Sequence, residues 1–327
     1  MSNLVTVDAI RAAADRIAAV ARRTPILDVS PAAGRPLHLK CENLQRTGAF
    51  KIRGGFNLIS QLAEAGGIVS GVITYSSGNH AQAVACSARM LGLPAVVVMP
   101  TTAPAVKVEG TKAFGAEVMF EGTTSVERRR RAEVVARERN LTIIPPFDHP
   151  EIIAGQGTVG LEIVEDLPGV ATVYVPIGGG GLASGVAAAV KALRPDARVI
   201  GVEPVGAAAM LRSVEAGGPV TLDRVASVAD GLIPIRPGDL TYAHAAALID
   251  RIVTVEDDAI LDAVRWLAAR AHLVVEPSGA ATMAAILSGA GAGAGGEADG
   301  EGGATVAVLS GGNIAPDALA RLLSADP

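Results

Sequence analysis

Short apolar runs alternate with longer helical stretches along most of the 327-residue chain. The run at 95–99 reads Ala-Val-Val-Val-Met and contains no polar residue. A strand that is apolar at every position is buried on both faces, which is typical of a parallel sheet covered by helices. The alternation therefore predicts an α/β fold built on parallel sheets.

The predicted elements follow one another with short connections. Strands are predicted at 71–75, 95–99, 116–120, 142–144, 172–175, 198–202, 251–255 and 304–309. Helices are predicted at 80–91, 124–140 and 182–193. Residues 289–303 contain only Gly, Ala, Asp and Glu, a composition that predicts a flexible loop before the last strand.

The charge and cysteine content exclude several classes of protein. The net charge of −5 is mild, and the arginines at 128–131 lie among glutamates at helical spacing, so no basic surface for nucleic acid is predicted. The N-terminus has no apolar h-region, and no apolar run reaches the roughly 18 residues of a membrane span. Cys41 and Cys86 form no CxxC pair, which indicates a reduced, cytoplasmic protein.

Four successive glycines follow the predicted strand at 172–175. Gly178, Gly179, Gly180 and Gly181 leave backbone N–H groups free to converge on an anion, and the following helix adds partial positive charge there. The segment lacks the Lys-Ser/Thr pair of a Walker A loop and the acidic residue of a dinucleotide fingerprint. It therefore predicts a phosphate site that need not bind a nucleotide, with a plain glycine-rich turn as the alternative.

A lysine lies in an apolar setting within the segment 47–55. Lys51 stands between Phe50 and Ile52, and it is one of five lysines in the chain. Burial disfavours the ammonium form, so such an amine becomes a nucleophile toward an aldehyde. A surface lysine is the alternative when this segment is considered alone.

Two further polar loops follow predicted strands. Ser76, Ser77, Asn79 and His80 lie at the start of a helix, a setting that suits a bound carboxylate or simple helix capping. Ser310 follows the last strand, at the strand end where ligands lie in open α/β sheets. The four loops together predict one ligand with a phosphate, an aldehyde and a ring nitrogen. Pyridoxal phosphate meets that description.

The motifs, taken together, resemble the threonine/serine dehydratase and serine racemase branch of fold-type II pyridoxal-phosphate enzymes. The resemblance runs from residue 24 to residue 313, and five motifs occur in the family's order: TGAFKIRGG, SSGNHAQA, AGQGT, PIGGGGLASG and SGGN. Cysteine synthases and threonine synthases usually carry an Asp soon after the lysine, whereas this chain continues Lys51-Ile52-Arg53.

The resemblance implies a role for each loop. Lys51 corresponds to the lysine that binds the cofactor covalently, and Phe50 lies against the cofactor ring. The four glycines bind the phosphate, Asn79 meets the 3′-oxygen and Ser310 faces the pyridine nitrogen. The substrate carboxylate loop comprises Ser76, Ser77, Asn79 and His80. Ser77 also corresponds to the group that exchanges a proton on the face opposite the lysine.

Relatives in this branch carry a divalent-cation site made of a Glu, a backbone carbonyl and an Asp. Glu203 and the carbonyl of Ala207 match that pattern, but Ala209 stands at the Asp position. Losing a carboxylate weakens a hard-cation site considerably. The resemblance therefore does not extend to a complete cation site.

The activity implied by the resemblance is elimination of water from a β-hydroxy amino acid of the L-threonine or L-serine type, giving a 2-oxo acid and ammonia. A serine-type racemase is the alternative, because dehydratases of this branch carry the same serine at position 77. A phosphate-binding protein without catalysis is a third hypothesis, against which the intact Lys51 and Ser310 argue. The motifs fit threonine, serine, 3-hydroxyaspartate and phenylserine equally well.

The architecture implied by the resemblance has two open, mainly parallel twisted sheets covered by helices. Residues 1–65 and 149–327 would form a large cofactor-binding domain, and residues 66–148 a small mobile domain that closes over it. No C-terminal regulatory domain is expected after the last predicted helix. Relatives are commonly dimers or tetramers, which implies a homo-oligomer.

Overall fold

The computed structural model describes residues 4–68, 70–76, 78–103, 105–290 and 303–324. Its strands are β1 (Ile26–Asp28), β2 (Leu37–Cys41), β3 (Val72–Tyr75), β4 (Ala95–Met99), β5 (Glu117–Phe120), β6 (Thr142–Ile143), β7 (Val170–Pro176), β8 (Arg198–Pro204), β9 (Arg251–Val255) and β10 (Ala304–Leu309). Its helices are α1 (Val7–Ile17), α2 (Ser30–Ala33), α3 (Lys51–Glu64), α4 (Asn79–Met90), α5 (Ala105–Ala113), α6 (Ser125–Arg139), α7 (Pro150–Asp166), α8 (Gly181–Leu193), α9 (Ala209–Ala216), α10 (Asp239–Leu248), α11 (Asp257–Arg270), α12 (Pro277–Leu287) and α13 (Pro316–Ser324). Among the described residues, no helix combines the length and the apolar character needed to cross a bilayer.

Two mainly parallel sheets organise these strands, which confirms the predicted fold class. The first has the strand order β1-β2-β10-β7-β8-β9 and the second the order β5-β4-β3-β6. Side chains of β7 alternate between two buried clusters. Val173 and Val175 pack with Leu182 of α8, whereas Tyr174 packs with Ala281 of α12. The first sheet is therefore covered by helices on both faces.

Most predicted strands lie where the apolar runs placed them. The strands predicted at 95–99, 251–255 and 304–309 are confirmed to the residue, and the others differ by one or two residues at an end. The charged helix α6 begins with a capping box between Thr124 and Glu127, and its C-cap residue, Asn140, has the left-handed conformation. Most of the glycine-rich segment predicted at 289–303 lies outside the described residues.

Strands β1 and β2 were not predicted, and they form the one antiparallel pair recorded among the described strands. The pattern of β2 is interrupted by His38 and Lys40, which is why it does not read as a buried strand. Lys40 is nevertheless fully buried, because its ammonium donates to the Glu162 carboxylate at 2.5 Å and to the Thr24 carbonyl at 2.7 Å. The Glu162 carboxylate, 122 residues away in sequence, thus offsets the cost of burying the Lys40 ammonium inside the sheet.

Helices α3, α7 and α8 approach one another through glycines. A Cβ added to Gly155 of α7 would lie 2.5 Å from the Cα of Gly54 in α3, and one added to Gly185 of α8 would lie 2.4 Å from the backbone nitrogen of Gly157. Each of these contacts lies within about one turn of the start of α3 or α8. The N-termini of α3 and α8 are therefore neighbours along α7. Gly155 and Gly157, which allow this close packing, belong to the AGQGT motif.

Candidate active site

Lys51 is the first residue of α3, so the helix packing fixes its position. Its Nζ donates a hydrogen bond to the Pro146 carbonyl at 2.9 Å and lies 5.0 Å from the centre of the Phe50 ring. Burial lowers the pKa of the Lys51 amine from 10.5 to about 8. The structure thus gives Lys51 the desolvated setting that its apolar neighbours predict. A fraction of this amine is neutral near neutral pH.

The glycine loop links the end of β7 to the start of α8. Gly180 is the N-cap of α8 and has a φ of 95°, which an L side chain rarely adopts. No side chain in the described part of the chain caps α8. The carbonyl of Gly179 accepts a hydrogen bond from the Thr241 hydroxyl at 2.7 Å, which fixes the loop. The N–H groups of the first turn of α8 are therefore without a side-chain cap, at the position where the sequence predicts an anion site.

A short segment between these two features holds them in place. Pro146 accepts from Lys51, and the ring of Phe147 packs on Gly179, where an added Cβ would lie 2.1 Å from it. Asp148 accepts the backbone N–H groups of Leu240 and Thr241 at 3.0 and 3.2 Å, at the start of α10. The lysine amine and the glycine loop thus lie on either side of residues 146–148. These residues carry no recognisable motif, so they were not predicted from the sequence.

Ser310 lies at the carboxyl end of β10, beside the lysine segment. It is 4% exposed, and its carbonyl accepts a hydrogen bond from the Phe50 N–H at 3.2 Å. Its hydroxyl donates to the Ser278 carbonyl at 3.4 Å, a weak contact that a better acceptor would replace. The structure therefore brings a buried neutral hydroxyl next to Phe50 and Lys51.

The loop before α4 carries the third group of predicted residues and follows β3 of the second sheet. The Ser76 hydroxyl accepts the Gly78 N–H at 3.3 Å, and α4 begins at Asn79 with no described side chain capping it. The His80 ring lies 3.2 Å from the Ile144 carbonyl, and burial lowers its pKa to about 3, so the ring is neutral. Ser77 lies outside the described residues.

Asn79 forms a contact that the sequence does not reveal. Its side-chain nitrogen donates to Glu276 at 2.5 Å, and its oxygen accepts from Asn313 at 2.9 Å. Burial, with the nearby Asp230 charge, raises the pKa of the Glu276 carboxyl to about 7. Asp230 in turn pairs with Lys107 of α5. Glu276 directly precedes the Pro-Ser-Gly sequence at the start of α12, and no local signal identifies it as part of the site.

The residues that match the cation pattern are engaged in other contacts in this structure. Both oxygens of the Glu203 carboxylate accept backbone N–H groups at 2.8 Å, from Met210 and Leu211 at the start of α9. Ala207 is buried in the connecting turn, and Ala209 has no ligand atom in its side chain. Across the described residues, no cluster of three His, Cys, Asp or Glu could hold a metal ion. Glu203 caps α9 here instead.

Comparison with known proteins identifies the family of this chain. The family model described as "Pyridoxal-phosphate dependent enzyme" matches residues 17–315. An L-threonine ammonia-lyase of Geobacter sulfurreducens is 43% identical over 309 residues, which cover 93% of this chain and 75% of that protein. A serine racemase of Schizosaccharomyces pombe is 40% identical and covers 86% of this chain and 88% of its own length.

The fold comparison leads to the same group. The solved structure of maize serine racemase superposes with a TM-score of 0.90 at 38% identity, covering 97% of this chain and 96% of that one. The resemblance predicted from the motifs is thereby confirmed. The chain belongs to the family of pyridoxal-phosphate-dependent enzymes.

Proposed function

We propose that this protein eliminates water from L-threonine or L-serine to give a 2-oxo acid and ammonia, using pyridoxal phosphate bound to Lys51. The observation that carries the proposal is the placement of a lysine amine of lowered pKa and an uncapped helix N-terminus on either side of residues 146–148. The identity of 43% with an L-threonine ammonia-lyase supports the choice of substrate.

The donor set fits pyridoxal phosphate. The Lys51 amine suits a covalent bond to the aldehyde, and Phe50 lies beside that amine. The N–H groups at the start of α8, with Gly178, Gly179, Gly180 and Gly181, would bind the phosphate. The Ser310 hydroxyl would face the pyridine nitrogen, and the Asn79 amide would face the 3′-oxygen.

The side chains divide the chemistry among them. When bound, pyridoxal phosphate supplies an electron sink for negative charge at the substrate α-carbon. Lys51, in its neutral form, takes the α-proton as a general base. The neutral Ser310 hydroxyl would leave the pyridine nitrogen largely unprotonated, which favours prompt loss of the β-hydroxyl. The proton with which that hydroxyl departs as water would come from the phosphate group held at the start of α8. The N–H groups at the start of α4, with the Ser76 hydroxyl, bind the substrate carboxylate. Ser77 is the proposed proton donor on the opposite face.

His80 takes part through its backbone in this proposal. Its ring faces the Ile144 carbonyl and is uncharged, so it offers no positive charge to a carboxylate. Residues 66–148 are proposed to close over the bound substrate and to exclude water. The ion pair between Lys107 and Asp230 supports this proposal, because it joins α5, beside the second sheet, to the segment between α9 and α10, which packs with the first sheet.

The direct test is a panel of β-hydroxy amino acids: threonine, serine, 3-hydroxyaspartate and phenylserine. We expect 2-oxo acid and ammonia in equal amounts from L-threonine or L-serine.

The serine racemases among the relatives favour a second candidate function, inversion at the α-carbon. Chiral analysis of the remaining amino acid distinguishes the two. Inversion without oxo acid would replace the lyase assignment with a racemase.

The lowered pKa of Lys51 predicts how cofactor uptake depends on pH. An ammonium cannot attack an aldehyde, so uptake by the cofactor-free protein should be slow below the pKa and should increase as pH rises through about 8. Above that pH the rate should level off. Stopped-flow absorbance at a series of pH values measures this. A rate that continues to rise toward pH 10 would show an amine with the pKa of an exposed lysine.

The engaged carboxylate of Glu203 predicts independence from divalent cations. Since both of its oxygens accept N–H groups of α9, excess EDTA should leave the elimination rate unchanged, and added magnesium or calcium should not raise it. Assays with and without EDTA test this. Loss of activity in EDTA, with recovery on adding magnesium, would contradict it.

We further propose a cytoplasmic homo-oligomer, either a dimer or a tetramer.

A further inference from the structure

We propose that Glu276 is a positioning residue that fixes the amide orientation of Asn79 and, through Asn79, the ring of the cofactor. This inference rests on the proposed function for its ligand, but it concerns the chain's own hydrogen bonds. Neither the motifs nor the family match assigns a role to Glu276.

Both ends of the Asn79 amide are engaged. The nitrogen donates to the Glu276 Oε1 at 2.5 Å, and the oxygen accepts from the Asn313 Nδ2 at 2.9 Å. The same Asn313 nitrogen also donates to the Thr47 carbonyl at 2.8 Å, which determines which end of Asn313 faces Asn79. The chain of contacts therefore specifies where the Asn79 oxygen and nitrogen point.

This orientation decides what Asn79 can offer a ligand. An asparagine amide carries two N–H donors on its nitrogen and acceptor capacity on its oxygen. Glu276 takes one N–H and holds the nitrogen in place. The second N–H is then directed by the same geometry and suits an oxygen acceptor such as the 3′-oxygen of the cofactor. Without the Glu276 acceptor, the amide could rotate.

The backbone near Gly311 leaves space for the contact between Glu276 and Asn79. Glu276 is 3% exposed, and its N–H donates to the Gly311 carbonyl at 3.1 Å. A Cβ added to Gly311 would lie 2.2 Å from the Glu276 Oε1 and 3.2 Å from the Asn79 Nδ2. The first glycine of the SGGN motif therefore leaves room for this carboxylate–amide contact. Residues from three distant parts of the sequence meet at this point.

A purely structural role for Glu276 makes a different prediction. Glu276 is the N-cap of α12, with φ −74° and ψ 158°. Glu256 is the N-cap of α11, with nearly the same angles of −75° and 153°, yet it is exposed. Neither side chain caps its own helix by a hydrogen bond. Glu256→Ala is therefore a matched control for loss of a glutamate at a helix start.

The test is a double-mutant cycle on the full-length protein, with Glu276→Ala, Asn79→Ala and the two combined. Two quantities are measured: the affinity of the resolved protein for pyridoxal phosphate and the visible absorbance spectrum of the bound cofactor. We expect Glu276→Ala to weaken the affinity about tenfold and to shift the spectrum in the same direction as Asn79→Ala. The double variant should be no worse than Asn79→Ala alone, because the two residues act in series.

Two further variants keep the test decisive. Glu276→Gln retains an acceptor oxygen and should stay close to wild type in both readouts. Glu276→Leu fills the same space without an acceptor. It should reproduce the loss of affinity and the spectral shift of Glu276→Ala, and it serves as the second variant in case Glu276→Ala folds poorly. Additive effects in the double variant, or an unchanged spectrum in Glu276→Leu, would overturn the proposal. A Glu256→Ala protein as impaired as Glu276→Ala would do the same.

Failure of the proposed function gives a different result. If wild type binds the cofactor but releases no oxo acid from any substrate, the lyase assignment fails, while the affinity and spectral shifts still decide the role of Glu276. If wild type releases oxo acid and the Glu276 variants keep its spectrum and affinity, the positioning role fails alone.

Discussion

Replacing Lys51 with alanine is expected to lower the rate of 2-oxo acid formation about a thousandfold or more. The change removes the amine that binds the cofactor covalently and the base that takes the α-proton, and a positioned base alone contributes factors of about 10² to 10⁴. Steady-state assay of wild type and variant, both saturated with pyridoxal phosphate, measures the loss. The fold should persist, because the helix packing of α3 depends on Gly54 rather than on the lysine side chain.

The control for this variant is Lys112→Ala. Lys112 is an exposed residue of α5, so removing its amine should leave the rate near that of wild type. A Lys51→Ala protein with an activity comparable to that of Lys112→Ala would show that another group carries the chemistry.

Replacing Arg53 with methionine is expected to have the largest effect on stability, lowering the free energy of unfolding by about 3–5 kcal/mol. Arg53 is 1% exposed and donates to Glu42 twice at 2.8 Å, to Glu162 at 2.7 and 2.9 Å and to Thr158 at 2.9 Å. Lys40 would remain as the one positive charge of this network facing two buried carboxylates. Urea unfolding of the cofactor-free protein measures the difference.

The matched control is Arg23→Met. Arg23 also pairs with two carboxylates, Glu165 and Asp166, but its side chain is 51% exposed. Exposed ion pairs contribute at most about 1 kcal/mol, so this variant should remain close to wild type. Equal destabilisation by the two substitutions would show that the buried network contributes no more than a surface pair.

The fold class could be predicted because parallel strands buried on both faces are apolar without interruption. Strand β4 shows this most clearly, being buried at all five positions. Strand β2 could not be predicted, because the burial of Lys40 depends on Glu162 in α7. Local sequence shows that Lys40 is charged but does not show its partner.

The candidate site also contains residues that a local sequence pattern identifies and residues whose role depends on a distant partner. Lys51 and the four glycines are identifiable because each lies in a local pattern with its own chemistry. Glu276 is not identifiable in this way, because its proposed role depends on a hydrogen bond with Asn79, which is 197 residues away in sequence. Glu203 has the residue type of a cation ligand, yet its oxygens face the start of α9, which only the fold reveals.

The proposed function depends most on which lysine binds the cofactor. Reduction of the holoenzyme with borohydride, followed by peptide mass spectrometry, fixes the cofactor to whichever amine binds it. We expect a pyridoxyl phosphate adduct on Lys51 alone among the five lysines of the chain. An adduct on Lys40, Lys107, Lys112 or Lys191, or no adduct on any lysine, would contradict it.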